Sequence, residues 1–392
     1  MPGKSWTLTA LSLGTAVLVL AHCAGKDAPQ EAAKPAVPPA PQVRPPVTQG
    51  KPLRWFTKKE LAAIAARDEF AALVPFELPL GLHDQAGAAF VDPARPITKE
   101  KVELGRLLYF DKRLSLDNTI SCATCHDPRL GWSDEGPTSV GIGGQKGGRN
   151  APTVMNTLFV QPQFWDGREP DLEGQAKGPI TNPIEMGMPD HATAVKKIAA
   201  IKGYKQYFDA AYGKNAKVTI ERIADAIAAF ERTIVTGNSP FDRWKAGDAS
   251  AMNESAIRGE KLFREKGRCT TCHVGAAFSD NAFHNLGVGC KDDTCTDWGR
   301  YEISKEESDR GAFKTPTLRN IAQNPPYMHD GSEVNLRTVV DLYNRGGNPN
   351  KWLSPLIIPL NLTGQEIDDI VAFMEALTGE ITPVEEPARL PE

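Results

Sequence analysis

Two Cys-x-x-Cys-His units, Cys122-Ala-Thr-Cys125-His126 and Cys269-Thr-Thr-Cys272-His273, constrain this chain more than any other feature. In each, two thiols lie on one turn and an imidazole follows at once. Both sulfurs can then reach the two vinyl groups of one porphyrin while the histidine turns to the iron. Zinc sites and thiol redox pairs also use Cys-x-x-Cys. The directly adjacent histidine, present twice, favours two covalently bound haem c groups, with His126 and His273 as proximal ligands.

The two units belong to a longer duplication. Gly105-Arg-Leu-Leu108-Tyr109, the first Cys unit, Ala151-Pro-Thr-Val-Met-Asn156 and Trp165-Asp166-Gly167 recur in order. Their counterparts are Gly259-Glu-Lys-Leu262-Phe263, the second Cys unit, Thr315-Pro-Thr-Leu-Arg-Asn320 and His329-Asp330-Gly331. Two copies of one haem-holding module account for this. Helical spacing of apolar residues predicts helices beginning at Thr98 and at Asn253, the latter stopping by Gly267, and others over Ile220–Val235 and Gln365–Leu377. Strand alternation is scarce, and Gly- and Pro-rich stretches read as loops. The expected fold is mainly α, with two c-type cytochrome domains that each hold one covalently attached haem. The expected boundaries are 53–245 and 246–385.

Residues 1–24 read as an export signal. Lys4 supplies the positive end, Leu8 to Ala21 an apolar run too short to span a membrane, and Ala24 a small residue near the cleavage point. Cys23 leaves lipidation open beside plain cleavage, so the expected contact with a membrane is a lipid anchor at that residue alone, on a periplasmic protein. Residues 25–52, rich in Ala, Pro, Gln and Val, read as a tether. Of the seven cysteines, Cys290 and Cys295 form a close pair that reads as a disulfide in an oxidising compartment, with free thiols as the alternative. The net charge of −4 gives no ground for nucleic-acid binding.

With these residues in view, the chain resembles the bacterial di-haem cytochrome c peroxidases and their MauG-type relatives over roughly Leu53 to Gly379. The resemblance also rests on Gly148-Arg-Asn-Ala-Pro-Thr153, Gln163-Phe-Trp-Asp-Gly-Arg168, Gln175-Ala-Lys-Gly-Pro179, Asn182-Pro-Ile-Glu-Met-Gly187, Pro326-Tyr-Met-His-Asp-Gly331 and Tyr343-Asn-Arg-Gly-Gly347. It implies that the haem on His126 meets peroxide and that the haem on His273 relays electrons. Glu185 falls at the family's acid–base residue, Gln175 at its second polar pocket residue, and Trp165 at the tryptophan between the haems. On spacing alone, Asn182, Pro183 and Glu185 also fit N-cap, N1 and N3 of a helix, and Trp165 fits an interface filler. The resemblance further implies calcium between the domains, at Asn150, Asn324 and Pro326, where a turn without metal is the alternative.

Two positions depart from the standard peroxidase pattern. Ile142 stands where many members carry a distal histidine, and isoleucine cannot ligate iron. Tyr343 stands where they carry an axial methionine, as in MauG-type proteins. A phenolate stabilises ferric iron relative to a thioether. Helical periodicity with Leu336, Val339 and Val340 also allows Tyr343 as ordinary core.

Three functions follow as expectations. The first is reduction of hydrogen peroxide with electrons from a small exported cytochrome c or cupredoxin. The second is a MauG-like oxidation of a residue on a partner protein. Ile142 and Tyr343 favour it, but Gly267 stands where MauG has its relay tryptophan, so no substrate surface carries over; Trp298 and Trp244 are candidates for that relay, with a structural role as the favoured alternative for each. The third is a plain di-haem electron carrier, disfavoured by Glu185 and the missing distal ligand.

Overall fold

A computed structural model describes residues 39–66 and 74–392. The export signal and Cys23 lie outside the described residues. The expected helices form. Thr98 caps Lys99–Phe110 by accepting from Lys101 N, and Asn253 caps Glu254–Arg264 by accepting from Ala256 N. Such caps satisfy amide donors that a first helical turn leaves free. The second helix ends at Arg264, short of Gly267. Ile220–Glu231 and Gly364–Glu375 complete the two helix pairs. The three paired sheets found among the described residues are two-stranded and short. No helix among them is long and apolar enough to cross a membrane.

The duplication is physical as well as sequential. In the first half, Gly105 lets the Lys99–Phe110 helix touch Ile220–Glu231: a Cβ there would stand 1.9 Å from Ala226 O and 2.8 Å from Phe230 Cβ. In the second half, a Cβ on Gly259 would stand 1.8 Å from Asp369 O and 2.9 Å from Phe373 Cβ. Any side chain at either position forces the crossing helices apart. Gly259→Ala is therefore expected to cost on the order of 1–3 kcal/mol, measured as a lower denaturant midpoint of the holoprotein. Smaller details repeat too. Thr153 Oγ1 donates to Gly131 O at 2.8 Å and Thr317 Oγ1 to Ala277 O at 2.7 Å. Asn156 and Asn320 both adopt positive φ, a conformation asparagine tolerates better than most residues.

Each half has its own core. Leu104, Leu108, Tyr109, Trp132, Met155 and Phe230 anchor the first, and Phe263, Tyr327, Leu336, Ile370 and Phe373 the second. A third cluster, including Phe76, Leu82, Leu158, Phe159 and Ala277, joins residues of both halves. The buried Arg319 guanidinium adds an ion pair to Asp242 at 2.9 Å.

The cores do not respect the expected boundaries. Ile381, Val384 and Leu390 pack on the first core, while Phe241 and Trp244 pack on the second. The stretch read as a tether also differs from expectation. From residue 39 onward it lies on the body: Gly50 N donates to Ile381 O at 2.8 Å, and Val47 packs on the first core. Backbone pairing and one half-buried arginine, rather than apolar bulk, hold it there, so its composition gave no warning. Cys290 and Cys295 are bonded to each other across a two-stranded hairpin.

Candidate functional site

A continuous cavity of about 780 Å³ is lined by both Cys-x-x-Cys-His units. At the first unit, Ser121 N donates to Thr124 Oγ1 at 2.9 Å and His126 N to Cys122 O at 3.0 Å. This single turn sets Cys122, Cys125 and His126 on one cavity wall. At the second, His273 N donates to Cys269 O at 2.9 Å. All four thiols are free. Burial raises each of them, Cys125 and Cys272 to about 11 and Cys269 to about 12. A redox-active pair has the opposite shift, with one thiol depressed.

Burial also holds both imidazoles neutral, as iron ligands require. His273 Nδ1 is hydrogen-bonded to Phe278 O at 2.8 Å, which leaves Nε2 for the cavity. His126 Nδ1 is buried without a hydrogen-bond partner. Two thiols and one neutral imidazole, repeated on the walls of one mostly apolar cavity, fit covalent haem at both places.

Glu185 lies on the cavity wall, close enough to act on both Cys122 and Cys125. Burial pushes its carboxyl above the ordinary range, and the Arg168 guanidinium opposes the shift. The helix-cap alternative fails. Asn182 ends the Leu172–Thr181 helix instead of starting one. Its side chain organises the turn, with Oδ1 accepting from Ile184 N and Nδ2 donating to Glu185 Oε1, both at 2.9 Å. Gln175 faces the cavity from that same helix.

Ile142 does not line the cavity. Its N donates to Glu185 O at 2.9 Å, and its side chain covers Gly187, where a Cβ would meet Cδ1 at 2.9 Å. The wall beside it is made by Gly141, Ile184 and Glu185. Tyr343 does line the cavity, on the Leu336–Asn344 helix, with Cys269 and Cys272 as electrostatic neighbours. Burial raises its phenol. Val340 and Leu336, one and two turns earlier, line the same cavity and also belong to the second core.

Trp165 faces the cavity between the halves. Its Nε1 donates to Asn150 O and its carbonyl accepts from Lys314 N, at 2.9 and 2.8 Å. His329, the repeat counterpart of Trp165, is buried on the wall and stacks on Phe313 with centroids 3.5 Å apart. Asn150, Asn324 and Pro326 also face this wall, and Asn324 Oδ1 is buried without a partner. Asn150 Nδ2 is engaged with Gly136 O at 3.1 Å. The one cluster of three acidic, histidine or cysteine side chains with ligand spacing among the described residues lies elsewhere, at Cys272, Asp280 and His284. Calcium binds roughly six to eight oxygens, usually with carboxylates among them. Amide and carbonyl oxygens also belong to its ligand set, and the unpartnered Asn324 Oδ1 is one such oxygen.

Sequence reasoning missed three cavity residues. Glu231 ends the Ile220–Glu231 helix with its carboxyl pushed up to about 8 by burial, and Lys314 has its ammonium pushed down to about 8. A lone acid closing the run Ile227-Ala-Ala-Phe230 was a visible signal. Arg149, in the quoted Gly-Arg-Asn motif, joins Asp166 and Asp297 at 2.5 and 2.6 Å.

Residues 99–250 match the family model described as di-haem cytochrome c peroxidase, and residues 256–378 match that described as cytochrome c. The methylamine utilization protein MauG of Methylorubrum extorquens is 41% identical over 287 residues, covering 73% of this chain and 80% of that protein. The chain belongs to the di-haem cytochrome c peroxidase family. The cytochrome c551 peroxidase of Nitrosomonas europaea is 40% identical, over 74% of this chain and 84% of that protein. Among solved structures, a MauG-like protein associated with microbial copper homeostasis aligns with a TM-score of 0.69 at 32% identity, over 74% and 93% of the two chains. The family is one of mainly helical oxidoreductases with paired cytochrome c domains, and it implies two c-type haems here.

Proposed function

We propose that this di-haem protein reduces hydrogen peroxide at the site built on His126, with electrons passed from the site built on His273. The observation that carries the proposal is Glu185: a desolvated, hydrogen-bonded carboxyl beside the first Cys unit, with no distal histidine facing it. Haem iron, when bound, supplies the redox change and a position for peroxide. Glu185 takes the proton from the near oxygen of peroxide and returns it to the departing one, a general acid–base role suited to a carboxyl raised by burial. Asn182 aims Oε1, and Gln175 offers a second polar contact from the same wall. Trp165, held at both ends by hydrogen bonds, lies between the two sites and shortens the electron path.

In this reading 53–245 and 246–385 form the peroxide and electron-transfer domains, apart from the packing exchanges described above. The protein is exported, and its donor is a small exported cytochrome c or cupredoxin. The deciding experiment adds peroxide to the oxidised holoprotein with and without a reduced small cytochrome. Rapid peroxide loss coupled to cytochrome oxidation supports the reading. No reaction leaves only a carrier.

Tyr343 favours a second reading. Its place in the cavity beside Cys269 and Cys272 matches a MauG-like oxidase that modifies a partner protein. Slow reaction with the small cytochrome, but persistent spectral change with peroxide alone, favours that outcome. Tyr343→Phe is expected to abolish the low-spin EPR signal of the iron on His273. An unchanged signal refutes Tyr343 as a ligand.

A further inference from the structure

The two halves meet through a pair of matching bonds, and one member of the pair carries a charge that the other lacks. Asn150 precedes Ala151-Pro152-Thr153, and Lys314 precedes the counterpart Thr315-Pro316-Thr317. Asn150 N donates to His329 O at 2.7 Å, and Lys314 N donates to Trp165 O at 2.8 Å. Trp165 and His329 are themselves repeat counterparts, so each half presents the same backbone position to the other. At that position the first half has a neutral amide and the second an ammonium.

No group of the protein answers that ammonium. Lys314 lines the cavity, and among the described residues no hydrogen bond or ion pair reaches its Nζ. Burial alone acts on it. Other cations of the cavity wall are engaged: Arg149 meets Asp166 and Asp297 at 2.5 and 2.6 Å, and Arg168 meets Asp166 at 3.0 Å. A desolvated ammonium without an anion is costly to keep. Lys314 is also fixed in place, because it closes the strand Ala312–Lys314 that pairs with Phe283–Asn285. An anion entering the cavity offsets that cost.

Haem c brings such anions, since its ring carries two propionate carboxylates. The backbone around Lys314 selects between the two haems. Thr315 N donates to Ala282 O at 2.9 Å, Ser279 Oγ to Thr315 O at 2.7 Å, and Asp280 N to Cys272 O at 2.8 Å. These bonds tie the strand to the loop that follows His273. We propose that Lys314 pairs with a propionate of the haem on His273, holds that carboxylate on the wall that carries Trp165, and sets the potential of that haem. A compact ammonium on a flexible stem suits a single carboxylate, and charges act on one another more strongly in such an enclosed wall than in water. Lys314 is a positioning residue. The inference rests on covalent haem at His273 and not on the proposed peroxide reaction.

Redox titration of the full-length holoprotein tests it, with each iron followed by its own EPR signal. Lys314→Met removes the charge and keeps most of the bulk. Loss of a positive charge beside the ring favours ferric iron, so the midpoint of the iron on His273 is expected to fall. At the wild-type midpoint the ratio of reduced to oxidised iron should drop about tenfold, a 59 mV shift for one electron. The iron on His126 should move less, and covalent haem should stay at two groups per chain. Lys314→Arg, which keeps the charge, should restore most of the midpoint. An unchanged midpoint in Lys314→Met would overturn the inference. So would a fall that Lys314→Arg shares in full, or one confined to the iron on His126. A crystal structure of the wild-type holoprotein decides the matter even if Lys314→Met does not accumulate. Nζ within about 4 Å of a propionate oxygen of the haem on His273 supports the pairing. An ammonium that faces water, a free anion or another protein group contradicts it.

Discussion

Glu185→Gln is expected to lower the rate of peroxide turnover by roughly 10²–10⁴-fold, the range for loss of a positioned general acid–base group. Glutamine keeps the size and can still meet Asn182, so cyanide binding to the oxidised protein should change little. The pH profile supplies the sign. Burial raises the carboxyl of Glu185 above the usual glutamate value. As pH falls through that raised value, the carboxylate is protonated and can no longer take the proton from peroxide. The acid limb of the wild-type profile therefore lies above the ordinary glutamate range, and it should vanish in Glu185→Gln. A Glu185→Gln protein with wild-type turnover removes this residue from the chemistry.

The second large effect concerns the cofactor itself. Replacing Cys122 and Cys125 together with serine is expected to halve the covalently bound haem, from two groups per chain to one, and to abolish peroxide turnover. The corresponding change at Cys269 and Cys272 should also halve the haem and leave peroxide without an electron supply. Acid–acetone extraction followed by a haem assay reads the result directly. Retention of two covalent groups in either variant contradicts the assignment of those thiols.

Much of this architecture was legible in the sequence because it repeats. The glycines at 105 and 259, the Cys units and the Pro-Thr and Asp-Gly motifs all mark positions where backbone or cofactor geometry permits few residues. The helix starts at Thr98 and Asn253 were legible for a local reason, since each carries its own cap. Glu185 was ambiguous. Asn-Pro-x-Glu satisfies the local pattern of a helix start, and only the tertiary placement of the preceding Leu172–Thr181 helix shows that Asn182 ends one. Tyr343 was ambiguous for a similar reason, because periodicity groups it with Leu336 and Val340 without saying which side faces a cavity.

Other features left little trace. Residues 39–52 have the composition of a tether, and their order depends on long-range bonds between Arg44 and carbonyls that carry no side-chain signature. The exchange of Trp244 and Ile381 between the cores depends on where the chain crosses over, which no local pattern records. Lys314 lies between Phe313 and Thr315 in a short strand, and its burial arises from the cavity wall.

The central claim is that the iron held by His126 keeps one face open beside Glu185, while the iron held by His273 is closed by Tyr343. EPR of the oxidised holoprotein as isolated tests it most directly. One high-spin signal that converts to low-spin on adding cyanide, beside one low-spin signal that does not respond, is the predicted result. Two low-spin signals, neither altered by cyanide, would contradict the account.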